Sequence, residues 1–130
     1  MRRVAVDDTV LLRWFVDDGH PGVRAARELR RAYESGDLLV VVAPEWEADL
    51  LDAMAERLEA DDLATFAEAL RGIGLEVRRP HAATVARWMA RGLSAREAAA
   101  AAVAEEGGLR LISANPRLVG SAAPVLDRLR

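Results

Sequence analysis

Leu38 to Val42 reads Leu-Leu-Val-Val-Val, an apolar run of strand length with no polar residue in it. A strand with one wet face alternates apolar and polar positions. An unbroken apolar run needs cover on both faces, and that is the situation of a strand inside a parallel sheet. This single segment therefore points to a sheet packed between two layers of helix.

The remaining elements follow from turn residues and periodicity. Arg3-Val4-Ala5-Val6 is a short β-rich run that stops at Asp7-Asp8-Thr9. Residues 10–16 are helical and apolar apart from Arg13, and residues 17–22 form a loop rich in Asp, Gly and Pro. A second helix covers residues 23–34 and ends at Ser35-Gly36-Asp37. After the strand, Pro44 stands at a favoured first-turn position and opens a helix to residue 58. Further helices are read at 61–71, 81–90 and 94–106, with strands at 75–77 and 109–112. A turn at 113–116, one helical turn and a last edge strand at 124–126 complete the chain. The order βααβααβααβ predicts a three-layer α/β/α fold with a mainly parallel central sheet. With 130 residues, one domain spanning 1–130 is expected.

Composition removes whole classes of chemistry. There is no Cys, so a disulfide scaffold, a thiolate zinc site, an iron–sulfur cluster and a Cys nucleophile are excluded. Every basic residue other than His20 and His81 is Arg, and without Lys neither a P-loop nor a Schiff base can form. The net charge is −3. The basic start Met1-Arg2-Arg3 is followed by an apolar stretch broken at Asp7-Asp8 and Arg13, too short for a signal peptide. No membrane span and a cytoplasmic location are expected.

In open parallel sheets, sites form at the carboxyl ends of the strands. The residues there are Asp7 and Asp8 after the first strand, Asp49 in the helix after the second, and Ser113-Ala114-Asn115 after the last clear strand. Glu97 opens the helix before that strand. Crowded carboxylates repel by roughly 1–4 kcal/mol at about 4 Å. A hard cation such as Mg²⁺ or Mn²⁺ would neutralise them and activate a bound water.

Each of these residues also has a purely structural reading. Asp7 and Asp8 suit a helix N-terminus, and Thr9 suits an N-cap. Glu45, Asp49, Asp52 and Glu56 form a stripe of the kind that usually faces solvent. Ser94-Ala95-Arg96-Glu97 is a capping box, and Asn115 before Pro116 is an N-cap followed by a first-turn proline. Trp14, Trp46 and Trp88 sit on apolar helix faces and read as packing residues, while His20 and His81 read as loop residues. Arg24, Arg27, Arg30 and Arg31 form a solvated face or a contact for RNA phosphates.

These same segments resemble a PIN-domain ribonuclease of the VapC toxin type. Val-Asp-Asp-Thr-Val-Leu-Leu-Arg-Trp-Phe-Val at 6–16 resembles the family's opening, with Asp7 as first acid and Thr9 as its polar partner. Ala43-Pro44 followed by Asp49 and Asp52 resembles its Pro…Glu…Asn helix. Gly92-Leu93-Ser94 through Glu97-Ala98 resembles its Gly-Leu-Ser…Asp-Ala segment. Leu111-Ile112-Ser113-Ala114-Asn115 through Leu118 resembles its Leu…Thr-x-Asp…Leu turn. The resemblance implies catalytic and metal-binding roles for Asp7, Asp49, Glu97 and Asn115, with Mg²⁺ or Mn²⁺ as cofactor. It further implies an RNA substrate, a homodimer and an antitoxin partner.

This sequence departs from the pattern at three of the four acids: Asp for Glu at 49, Glu for Asp at 97, and Asn for Asp at 115. Two functions stand side by side. One is a metal-dependent endoribonuclease. The other is a catalytically degenerate PIN-like module that binds RNA or protein, and Asn115 is the residue that separates them. A phosphoacceptor receiver and a haloacid-type phosphatase also place acids after a first strand, but both need a Lys.

Overall fold

Among the described residues, five strands, β1 (Arg2–Val6), β2 (Leu38–Val42), β3 (Glu76–Val77), β4 (Leu111–Ser113) and β5 (Leu126–Arg128), form one sheet. The order is β3-β2-β1-β4-β5, and every neighbouring pair is parallel. The computed structural model describes residues 2–121 and 126–128. Among the described residues, seven helices connect the strands: α1 (Asp8–Phe15), α2 (Val23–Glu34), α3 (Trp46–Ala55), α4 (Ala60–Leu70), α5 (Ala82–Met89), α6 (Ala95–Gly107) and α7 (Pro116–Ser121).

The strand pattern dictates the layers. Val4 and Val6 of β1 join Leu38, Val40 and Val42 of β2 in a core with Val10, Leu11 and Trp14 of α1, Leu50 of α3 and Leu70 of α4. Ala5, one residue out of phase, faces the opposite side with Leu111, Trp88 of α5 and the alanines of α6. Burying each Val or Leu contributes about 1.5–3 kcal/mol. The continuous run in β2 is thus buried as expected, except that Leu39 is 37% exposed where the α5–α6 layer leaves this strand partly open.

Helix α6 is buried almost all round. Ala98, Ala101, Ala102 and Ala104 are fully enclosed, and Ala5 lies in the same cluster. Side chains this small let the helix axis approach the sheet closely. Gly108 ends the helix in the left-handed conformation at φ 61°, which glycine adopts without a Cβ penalty.

Several boundaries differ from the sequence reading. The third helix begins at Trp46 rather than Pro44, because Pro44 and Glu45 occupy a turn closed by Trp46 N–H donating to Ala43 O. Asp7, not Thr9, is the N-cap of α1. The last strand runs over Leu126–Arg128, and Pro124 and Val125 of the expected strand lie outside the described residues. On α2, Arg27 and Arg30 donate to the Arg13 and Trp14 carbonyls, so two of the four arginines hold the end of α1. All three tryptophans are buried, as expected for packing residues. No helix among the described residues is long and apolar enough to cross a membrane.

Candidate active site

The sheet changes direction beside β1. The chain builds outward from β1 to β2 and β3, then returns to place β4 and β5 on the other side. Loops leaving β1 and β4 diverge there, and the gap between them is where open α/β sheets form their sites. A cleft of about 520 Å³ lies at this place, lined by Asp7, Asp8, Arg96, Glu97, Asn115 and Arg117 among others.

Asp7 follows the last residue of β1 in extended conformation and caps α1. Its Oδ1 accepts from the Thr9 and Val10 amides at 3.1 and 3.4 Å. The Thr9 hydroxyl donates to the same oxygen at 2.5 Å, and the Ser113 hydroxyl donates to Oδ2 at 2.5 Å. Thr9 Oγ1 in turn accepts from the Ala114 amide, and Ser113 Oγ from the Asn115 amide. The network ties the end of β1 to the end of β4. Burial pushes the Asp7 carboxyl up to about 6, against the lowering effect of Ser113, Thr9 and the Val10 amide.

A second group centres on Arg96, at the second position of α6. Its Nε lies 3.0 Å from Asp49 Oδ1, and one terminal nitrogen lies 3.0 Å from Asp52 Oδ2. The other stands 3.9 Å from Asp8 Oδ2. Burial raises the Asp8 and Asp49 carboxyls above the ordinary range while Arg96 pulls both down.

Glu97 is the third. It completes the capping box with Ser94, as the sequence predicted. Its Oε1 accepts from the Ser94 amide and from Arg117 Nε at 3.2 Å, and its Oε2 accepts from Asn115 Nδ2 at 2.7 Å. Burial acts to raise this carboxyl, but the hydrogen bonds from Ser94 and Asn115 and the Arg117 charge together hold it below the usual range. Asn115 Oδ1 accepts from the Arg117 amide at the start of α7, in the manner of an N-cap.

Of the four expected site residues, the structure brings Asp7, Glu97 and Asn115 to one cleft. Asp49 is not among the lining residues and reaches the cleft through Arg96. Asp8, which the sequence favoured only as a loop acid, does line it. Arg96 and Arg117 were not anticipated. The one sequence signal for them is that a cluster of acids in a Lys-free chain has only Arg to neutralise it.

The donors are hard oxygens, the kind that Mg²⁺ and Mn²⁺ prefer. Their placement is another matter. Among the described residues, no three His, Asp or Glu side chains are positioned to hold one ion. Asp7 is spent on two hydroxyls, Glu97 on Asn115 and Arg117, and Asp8 and Asp49 on Arg96. As arranged, these residues do not form a divalent-ion site.

The parallel sheet, its strand order and the acid ending β1 define a PIN-like α/β/α domain. Solved structures show the same fold. PAE2754 from Pyrobaculum aerophilum superposes with a TM-score of 0.69 at 18% identity, over 98% of this chain and 90% of that one. VapC20 from Mycobacterium tuberculosis, a sarcin–ricin loop cleaving toxin, gives 0.64 at 16% identity, over 90% and 93%. FitAcB from Neisseria gonorrhoeae gives 0.67 at 15% identity, over 98% and 96%. At these identities the likeness is one of fold. No protein-family model and no curated protein sequence matches the chain.

Proposed function

We propose that this chain is a PIN-like endoribonuclease of the toxin type, acting on RNA phosphodiesters in the cleft between the ends of β1 and β4. The observation that carries the reading is Asp7. It is a buried carboxylate at the switch point of the sheet, bound to Ser113, on the wall of a 520 Å³ cleft. The fold supports it, since one of the superposing structures is an RNA-cleaving toxin.

The reading assigns Asp7 as the acid of the reaction centre, with Thr9 and Ser113 orienting it. It takes Asp49, Glu97 and Asn115 as the further polar groups and Mg²⁺ or Mn²⁺ as cofactor. The present arrangement of the acids does not supply a site for the ion, so no step is assigned to it. An antitoxin partner and a homodimer belong to the same proposal.

A second reading is favoured by a specific observation: arginines, not free carboxylates, face the acids. Arg96 and Arg117 suit a module that grips RNA phosphate without cutting it. The two are separated by incubating a mixed pool of structured RNAs with the protein in Mg²⁺ or Mn²⁺, beside Asp7→Asn. Discrete cleavage lost in Asp7→Asn supports the nuclease. Binding of intact RNA with no cleavage in either ion supports the second reading.

A further inference from the structure

We propose that a second cavity, on the α5–α6 face of the sheet, binds a small organic phosphate: a phosphate monoester carrying a compact apolar body. The proposal is independent of the ribonuclease reading, since this cavity shares no lining residue with the cleft.

The cavity exists because the helical layer stops short. Val41 of β2 is the register partner of Ala5 in β1, and α6 packs over Ala5. Toward β3 that cover runs out. Leu39, two residues before Val41 and on the same face, is 37% exposed. What remains is a hollow of about 300 Å³. That size is at the low end for small-ligand pockets, roughly 300–1,000 Å³. Val41, Val103, Pro80 and Leu109 give it an apolar lining, and Arg3, Arg78, Arg79 and Glu106 give it charge.

The charge is what selects the ligand. Arg3 and Arg78 both donate to one oxygen of Glu76, Arg78 through Nε at 2.7 Å. That contact uses one nitrogen of the three in the Arg78 guanidinium. The Arg79 side chain makes no ion pair or hydrogen bond among the described residues. Glu106 accepts from the His81 amide at 3.0 Å. Counting Glu76 and Glu106, three positive groups meet two negative ones, in a chain whose net charge is −3. An anion completes that balance. A phosphate monoester suits it better than a carboxylate. It carries close to two negative charges at neutral pH and three acceptor oxygens, which guanidinium forks bind in pairs. One such group takes Arg79 and the remaining nitrogens of Arg78 together, while Glu76 keeps its own contacts. Glu106 and the C-terminal end of α6 repel an anion, so the phosphate is expected against the arginines and the apolar body over Val103 and Leu109.

The test is a titration of the ¹⁵N-labelled protein with phenyl phosphate, inorganic phosphate and benzoate, followed by amide shifts in NMR. Phenyl phosphate is expected to give saturable shifts centred on Arg79, Gly107 and Leu109. Inorganic phosphate lacks the apolar body and is expected to bind the same place several-fold more weakly. Arg79→Gln is expected to weaken phenyl phosphate roughly tenfold. Arg79 is exposed, and the amide spectrum reports whether its variant keeps the fold. Should it not, Arg78→Gln replaces it with the same expected loss. The proposal is overturned by no saturable shift at millimolar phenyl phosphate, by shifts centred on Glu97 and Asn115 instead, or by equal binding in parent and variant. Benzoate binding more tightly than phenyl phosphate also overturns it and assigns the cavity to carboxylates. None of these outcomes depends on whether the cleft cuts RNA.

Discussion

The Ser113 hydroxyl donates to Asp7 Oδ2 at 2.5 Å, joining residues 106 positions apart in the chain. Asp7 ends the first strand and Ser113 ends the fourth, and the two strands are paired in parallel through Ala5–Leu111 and Val6–Ile112. One hydrogen bond thus records both the pairing of the strands and the position of the cleft.

Removing that donor tests its weight. Ser113→Ala leaves a buried Asp7 oxygen and the Asn115 amide each short of a partner. A loss of about 1–3 kcal/mol in unfolding free energy is expected. Urea denaturation measures it. A change within error would mean that water replaces the hydroxyl at no cost.

Asp7 also makes stability depend on pH, in the unusual direction for an acid. Its carboxyl is raised from 3.8 in the unfolded chain to about 6 in the folded one. The folded state then holds the proton more tightly, so this group's contribution falls as pH rises from about 4 to 6 and the penalty is complete above 6. Two units correspond to about 3 kcal/mol. Asp7→Asn is expected to be more stable than the parent at pH 7.5, with the difference shrinking toward pH 4. Equal stabilities at pH 7.5 would contradict the raised value.

Asn115→Asp places a second carboxylate 2.7 Å from Glu97 where an amide now donates. Repulsion of roughly 1–4 kcal/mol is expected at distances near 4 Å. The variant should melt lower than the parent in a chelator and recover in Mn²⁺. Thermal scans in both buffers decide it, and a melting point indifferent to Mn²⁺ would count against an ion bridging these two positions.

Ala101 of α6 is fully buried in the cluster with Ala5 and Leu111, so Ala101→Leu is expected to cost about 1–3 kcal/mol by overpacking. Ala99, which is only partly buried, should accept Leu more readily. Chemical denaturation of the two variants gives the comparison.

Much of this architecture was legible in the sequence because its signals are local. Leu38–Val42 and Val23–Glu34 appear where they were read, the first because no polar residue interrupts it and the second because Pro-Gly and Ser-Gly-Asp bracket it. The capping box at Ser94 and Glu97 is a contact over three residues and was readable for that reason. The start of β4 was not. Leu109 and Arg110 read as part of the strand in sequence, but Gly108 turns left-handed and the ladder begins only at Leu111.

The cleft was half legible. Asp7 and Asn115 were found because an acid and an amide just after strands are conspicuous, and Glu97 because it opens a helix behind a recognisable cap. The role of Arg96 was hidden, because it depends on α6 meeting α3 across 44 positions of sequence. Nothing local to Ser94-Ala95-Arg96-Glu97 says which carboxylates will lie opposite it. Thr9 pairs with Asp7 as the resemblance implied, but its hydroxyl also accepts from the Ala114 amide, which comes from the far end of the chain and has no local signal.

The alanine packing of α6 has a mechanical consequence. A helix whose buried side chains are almost all alanine sits close on the sheet and has little room to slide or tilt. Its first turn, which carries Arg96 and Glu97, is then a fixed jaw. Any widening of the cleft must come from side chains swinging away, or from the opposite wall giving way.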